Sequence, residues 1–415
     1  MRDSIKRQLK NIDWDFSHGD DRVAAGIHWY PGTFIPSIPV ALIEALSSPG
    51  ETVFDPYCGS GTTGISSLMR GRNIVLTDLN PIAVMSSTAA LSLASLRLHY
   101  PNLFSLCFDI IESVLDKHAG KSSLVTLGDR HVQSIDDAVL GLYAGDLQRD
   151  TAIQFSAEPN RSELEPWYDP STLQDIVGLN RHIGKCLGSG PTSFIAHTML
   201  SACLRQLCSQ TQSWGHIADN VHPKQLTPKP AIRALKDWLR RARNRFSKIS
   251  QLERGIPIGT FRVVSIQWGS GHRITPIPFD LLVTSPPYAG AIDYTLSQRL
   301  SLFLLGWSTA DMSALVRSEI GARRKRGKTT HIPTWAREVA ETAALHCTWA
   351  NSGAHAAYVF PHKDSGRALG EDEIVSHLAE QGWALEVQSN RSIRQARTRQ
   401  AWTSIKKETI LIFGR

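Results

Sequence analysis

Apolar residues along this chain follow two rhythms. Short apolar runs at 52–54, 73–77, 261–266, 281–284, 356–360, 384–389 and 408–413 are rich in Val, Ile, Leu and Phe, and this pattern predicts strands. Helical spacing governs the rest. Ile38, Val40, Leu42, Ile43 and Leu46 follow Pro36 and stop at Pro49-Gly50, which predicts a short helix. A second helix is predicted from Thr62 to Met69, broken by Gly71-Arg72. Residues 82–118, 191–212, 230–250, most of 295–348 and 372–380 carry further helical patterns, whereas 120–190 is mixed and shows few strand signals.

Between residues 52 and 78 the chain reads strand, Gly-rich turn, helix, strand, acid, which is one βαβ unit of a parallel sheet. Strand sequence returns only at 261. The expected fold is α/β, with its core divided by a largely helical insertion: 1–96 as the first half, 97–255 as the insertion and 256–415 as the second half. The last two strands are expected to form a terminal hairpin with a long connection.

Composition narrows the class. The chain has 415 residues, 42% of them hydrophobic and 8% aromatic, as in ordinary soluble globular proteins. A formal net charge of +7 makes nucleic acid a natural partner without establishing one. Six scattered cysteines include no Cys-x-x-Cys pair, which argues against a zinc ribbon and, at this length, against a disulfide scaffold. No metal is expected. The N-terminus leads into polar sequence, and the apolar run 300–306 is too short to span a bilayer. A cytoplasmic protein with no membrane partner is the expectation.

Two segments carry candidate chemistry. The first is Phe54-Asp55-Pro56-Tyr57-Cys58-Gly59-Ser60-Gly61-Thr62-Thr63. Glycine at 59 and 61 lets the backbone pass close under a ligand, and the helix that follows offers free N–H groups that suit a carboxylate. Asp55 is placed to accept from an ammonium group, and Asp78, at the tip of the next strand, from ribose hydroxyls. The spacing of a nucleotide phosphate loop, Gly-x-x-x-x-Gly-Lys-Ser/Thr, is missing. The second segment, Thr284-Ser285-Pro286-Pro287-Tyr288, directly follows a predicted core strand, where ligands of α/β sheets bind. Its prolines fix φ and remove two N–H donors. The Ser285 hydroxyl and the Pro286 carbonyl can then accept from an exocyclic amino group, and Tyr288 offers a face for a flipped base. A nucleoside-binding turn joined to an amino-group clamp reads as methyl transfer from S-adenosylmethionine, achieved by positioning and desolvation.

These segments resemble the amino-group DNA methyltransferases, which methylate cytosine at N(4) or adenine at N(6). Residues 54–63 are similar to their cofactor motif and 284–288 to their catalytic motif, in which the cytosine enzymes usually carry Ser-Pro-Pro-Tyr and the adenine enzymes Asp- or Asn-Pro-Pro-Tyr. His28-Trp29-Tyr30-Pro31-Gly32-Thr33-Phe34 is similar to the segment that closes over the methionine end of the cofactor, and 405–413 to the last strand. The resemblance implies a Rossmann-like class I methyltransferase sheet. It implies S-adenosylmethionine contacts at Tyr30, Phe34, Asp55, Tyr57, Gly59, Ser60, Gly61, Thr62, Thr63, Asp78, Leu79 and Thr284, and a catalytic set of Ser285, Pro286, Pro287 and Tyr288. It makes 1–96 the cofactor half and 256–415 the catalytic half. The insertion, 97–255, lies where one class keeps its target-recognition domain. Two further stretches, 213–220 and 320–324, resemble segments of a bacterial subgroup of DNA methylases and have no derived role. The chain departs from the family at Ser265-Ile266-Gln267-Trp268, where the acid that often meets the cofactor adenine is absent; Ser265 or Gln267 can substitute.

Three basic clusters are candidates for phosphate contact: 240–245 with Arg241 and Arg243, the run Arg323-Arg324-Lys325-Arg326, and Arg391, Arg394, Arg397 and Arg399. The expected activity is methylation of a flipped cytosine amino group in DNA, in a restriction or defence setting where any restriction endonuclease is a separate chain. The alternatives are adenine-N(6) methylation of DNA, methylation of an RNA guanine amino group, and a nucleic-acid-binding protein that no longer catalyses.

Overall fold

The computed structural model describes residues 1–415 other than 2, 17–21, 34, 122–128, 156–157, 213, 269–274, 291, 323–330, 363–367 and 394–405. Among these residues seven strands form one sheet: β1 (Thr52–Asp55), β2 (Asn73–Asp78), β3 (Phe261–Ser265), β4 (Phe279–Thr284), β5 (Ala350–Pro361), β6 (Ala384–Ser392) and β7 (Lys407–Gly414). Their spatial order is β3-β2-β1-β4-β5-β7-β6. Strands β1 to β5 pair in parallel, and β7 runs antiparallel between β5 and β6. This is the expected α/β fold with a Rossmann-like parallel sheet, ended by the expected β6–β7 antiparallel pair.

The two-residue period of a strand explains why both faces are buried. Val53, Leu281, Val283, Ala357, Val359, Ile410 and Ile412 join Ile38 and Leu42 of the helix Ser37–Leu46 in one core. Their neighbours Phe54, Leu282, Ala356, Tyr358, Phe360, Leu411 and Phe413 pack on the other side. There they meet the helices His331–Cys347 and Ala368–Glu380 through Trp335, Val339, Ile374 and Leu378.

The helix Pro81–His99 has the length and apolarity of a membrane span, yet its apolar stretch is 94% buried inside the protein. It is the central helix of the first core. Within it Ser87 Oγ donates to Ala83 O at 2.7 Å and Thr88 Oγ1 to Val84 O at 2.8 Å, so these two hydroxyls are buried without loss. The helices Pro101–His118, Pro170–Leu187, Pro191–Leu207 and Ala231–Phe246 extend the same apolar core. The mixed stretch 120–190 also holds Asp129–Leu140, Leu147–Thr151 and Arg161–Leu164. It is tied to edge strand β3 by a two-pronged ion pair, with Arg262 Nε and Nη2 2.8 and 2.7 Å from the Asp150 carboxylate. A helix that the apolar pattern did not predict, Asp3–Lys10, lies against β6, where Lys6 pairs with Glu386.

The sheet order fixes where a ligand can sit. After β1 the chain builds outward through β2 and β3, then returns to place β4 against the other side of β1, with Val53 paired to Leu281 and Phe54 to Leu282. Loops leaving the carboxyl ends of two such strands diverge and leave a crevice between them.

Candidate active site

Both sequence motifs open into this crevice. The turn after β1 is stitched to β2 by Cys58 N donating to Thr77 O (3.0 Å), Thr77 Oγ1 to Pro56 O (3.0 Å) and Gly59 N to Asp78 Oδ2 (2.9 Å). Gly59 has φ +50°, and a Cβ there would lie 3.1 Å from the Tyr30 ring. Gly61 has φ +82°, and its Cβ would lie 2.9 Å from Ser87 Cβ. Gly59 therefore keeps space beside an aromatic wall of the cavity, whereas Gly61 admits the helix Pro81–His99 rather than a ligand.

One cavity is lined by Tyr57, Gly59, Ser60, Thr62 and Thr63 of the first motif, Asp78 and Leu79 at the end of β2, Tyr30 of the preceding segment, and Ser285 and Pro287 of the second motif. Asp55, Gly61, Thr284, Pro286 and Tyr288 stand outside the lining. Phe34 and the run Arg323-Arg324-Lys325-Arg326 lie outside the described residues.

Asp55, expected to meet an ammonium group, is turned inward and 1% exposed. It accepts from Thr284 Oγ1 at 2.6 Å and from Tyr57 N at 3.1 Å, so it clamps β1 to β4 from behind. Burial pushes its pKa up to about 6. Asp78 does face the cavity, with its two oxygens held by Gly59 N and Asn80 N, each at 2.9 Å. Burial raises it to about 6 as well, against the opposing pull of those N–H groups.

The second motif is anchored from behind. Trp335 Nε1 donates to Pro287 O at 2.7 Å. The Ser285 hydroxyl donates to the Tyr288 hydroxyl at 3.0 Å, and Tyr288 donates to Glu408 Oε1 at 2.8 Å and Val359 O at 3.3 Å. The Tyr288 side chain packs beside Ala218, Ile292 and Leu296.

Among the lining side chains missed in the sequence are Trp268, Tyr294 and Glu319. Trp268, just beyond β3, donates through Nε1 to Pro56 O at 2.9 Å. Tyr294 stacks on Tyr30, ring centres 6.1 Å apart. Glu319 accepts from Thr295 N at 2.5 Å, and burial pushes its pKa up to about 7. A signal for Glu319 existed, because it immediately precedes the unexplained segment 320–324. Gly321 O of that segment accepts from Gly290 N at 2.8 Å, which brings it against the loop after β4. The other unexplained segment, 213–220, also gains a place: Ile217 O and Asn220 Oδ1 accept from Arg299 at 2.7 and 2.8 Å, behind the cavity-lining Tyr294. Ser265 and Gln267 line a neighbouring cavity with Gln154 and Trp307, and of the implied cofactor contacts Leu79 touches both cavities.

The basic clusters divide. Arg391 is 7% exposed and pairs with Glu408, so it is unavailable to phosphate, and Arg394, Arg397 and Arg399 lie outside the described residues. Arg243 pairs with Asp109 at 2.8 Å, while Arg241 is exposed on the same helix. Among the described residues no group of three or more His, Cys, Asp or Glu side chains could hold a metal ion.

Comparison with known proteins agrees with the first motif. Residues 6–88 match the family model described as DNA methylase. The chain is 30% identical over 76 residues to the type II methyltransferase M.MjaII of Methanocaldococcus jannaschii, a match covering 17% of this chain and 14% of that protein. The rRNA methyltransferase AviRa of Streptomyces viridochromogenes aligns over 94% of this chain and 88% of its own, at 11% identity and a TM-score of 0.28.

The Asp55–Thr284 clamp is testable by Thr284→Val, which keeps the shape and removes the donor. Leaving a buried carboxylate with one partner fewer is expected to cost about 1–3 kcal/mol in denaturant unfolding. An unchanged midpoint and slope would show that the clamp contributes nothing.

Proposed function

We propose that this chain, whose residues 6–88 match the DNA methylase family model, transfers a methyl group from S-adenosylmethionine to the exocyclic amino nitrogen of a flipped cytosine in DNA. One observation carries the reading: the turn after β1 and Ser285 after β4 line the same cavity.

The residues suit the cofactor. Asp78 presents a carboxylate with both oxygens already oriented by backbone N–H groups, which leaves lone pairs for a ribose diol. The positive-φ Gly59 keeps the floor of the cavity open, and Tyr30, Tyr57 and Trp268 supply apolar walls. When bound, S-adenosylmethionine supplies an electrophilic methyl group. Ser285, on the cavity lining, accepts from the target amine and turns its lone pair toward the cavity; the Pro286 carbonyl is the proposed second acceptor, although Pro286 itself stands outside the lining. The fixed backbone of the two prolines makes this a preorganised site. Serine at 285, where adenine enzymes usually have Asp or Asn, favours cytosine.

The exposed Arg241 and the run 323–326 are the proposed phosphate contacts, and the helical segment 97–255 the proposed target-recognition element. A restriction or defence role in the cytoplasm, with any endonuclease on a separate chain, completes the proposal.

Incubation with labelled S-adenosylmethionine and unmethylated DNA, followed by nucleoside mass spectrometry, tests it. 4-Methylcytosine is expected. 6-Methyladenine would overturn the base assignment, and label found only in a parallel RNA sample would overturn DNA as substrate. Ser285→Ala and Tyr288→Ala are expected to lose methylation while keeping cofactor affinity, and Asp78→Ala to weaken cofactor binding. Because ionised Asp78 is the stronger acceptor for the ribose hydroxyls, calorimetric affinity is expected to be full near pH 8 and to fall as pH drops through about 6, and Asp78→Ala to lose the part of the fall that Glu319, raised to about 7 on the same wall, does not cause. Affinity independent of pH across that range would remove Asp78 from the site.

A further inference from the structure

Behind the cavity a single chain of hydrogen bonds runs from Ser285 to a buried ion pair. Ser285 Oγ meets the Tyr288 hydroxyl at 3.0 Å, and the Tyr288 hydroxyl meets Glu408 Oε1 at 2.8 Å. The other Glu408 oxygen, Oε2, is paired with Arg391 Nη1. Glu408 and Arg391 face each other across the β6–β7 ladder and are 6% and 7% exposed. Arg391 is fixed in turn by its Nε donating to Trp14 O at 3.2 Å.

The direction of this chain is determined by chemistry. A carboxylate paired with a guanidinium only accepts, and so does the Val359 carbonyl 3.3 Å from the same phenol. The single hydrogen of Tyr288 is therefore committed away from Ser285. The phenol oxygen is left as an acceptor, and the hydrogen of Ser285 is committed to it. What Ser285 turns to the cavity is its remaining lone pairs. A free serine hydroxyl presents either polarity; this one presents one. An exocyclic amino group offers two hydrogens, whereas a ring carbonyl at the same position offers none.

We propose that Glu408 and Arg391 are positioning residues for methyl transfer, which polarise Tyr288 so that Ser285 acts only as an acceptor and selects an amino group over a carbonyl. This rests on the reading that the target amine binds at Ser285. Neither residue touches the substrate. Burial and the Glu408 carboxylate also push the Tyr288 phenol well above its ordinary pKa, which keeps the connecting hydrogen in place.

Glu408→Gln tests the direction of the chain. Arg391 can only donate, so the new amide turns its oxygen to Arg391 and its NH2 to Tyr288. Tyr288 then keeps only the Val359 carbonyl at 3.3 Å as an acceptor on that side, so its hydrogen is shared with Ser285 and Ser285 is no longer held as an acceptor only. The expected result is a fall in kcat of about tenfold or more, with calorimetric cofactor affinity unchanged and the circular-dichroism melting curve still cooperative. In the same assay Glu408→Asp is expected to keep most of the activity. Tyr288→Phe, which cuts the chain, is expected to lower kcat with cofactor affinity retained, and the double variant Y288F/E408Q to be no slower than Tyr288→Phe alone. If Glu408→Gln does not fold, Tyr288→Phe decides: undiminished kcat overturns the proposal. An active wild type beside an equally active Glu408→Gln, or losses that multiply in the double variant, overturns it too. A wild type that methylates no nucleic acid overturns the functional reading first, and this inference with it.

Discussion

The site depends on β1 and β4 lying side by side. The 2.6 Å bond from Thr284 to Asp55 joins residues 229 apart in sequence and holds the ends of these two strands together. Parallel neighbours cannot be joined by a tight turn, so the chain between them must leave and return. It does so through β2, β3 and the helical segment. The crevice between the two departing loops is the by-product of that excursion.

The carboxylates around this crevice show what kind of ligand it favours. Asp55, Asp78 and Glu319 are all pushed upward, chiefly by burial, and Asp78 adds its charge to the burden on the other carboxylate at the cavity wall. A cavity walled by the carboxyl groups of Asp78 and Glu319 binds positive charge well, because a cation restores the ionised form. That property suits a sulfonium cofactor. The aromatic walls and the anchored proline loop supply shape, while charge enters through Asp78 and Glu319.

Much of this was legible in the sequence. The seven strand runs, the βαβ unit and the terminal hairpin follow from local periodicity, which strands buried on both faces preserve as apolar runs. Gly59 and Asp78 were legible because turn geometry and strand-end position restrict residue type. Other features arise from long-range contact. Asp55 reads as a ligand from its position, yet a neighbouring strand's threonine takes its carboxylate. Gly61 reads as a ligand-approach glycine, but the residue it accommodates is Ser87. Arg391 reads as one of a basic cluster and is buried against Glu408, because antiparallel pairing places them opposite each other. Trp268 and Glu319 sit on connecting segments, where periodicity says nothing about which side chain faces a cavity.

On the proposed function, the cavity that receives the cofactor also adjoins Ser285. Ultraviolet cross-linking of methyl-labelled S-adenosylmethionine to the intact protein, followed by peptide mapping, is the decisive measurement. Label is expected on peptides carrying Tyr30, Tyr57, Trp268 or Tyr294. Label confined to peptides remote from this lining, such as those carrying Gln154 or Trp307 of the neighbouring cavity, would contradict it.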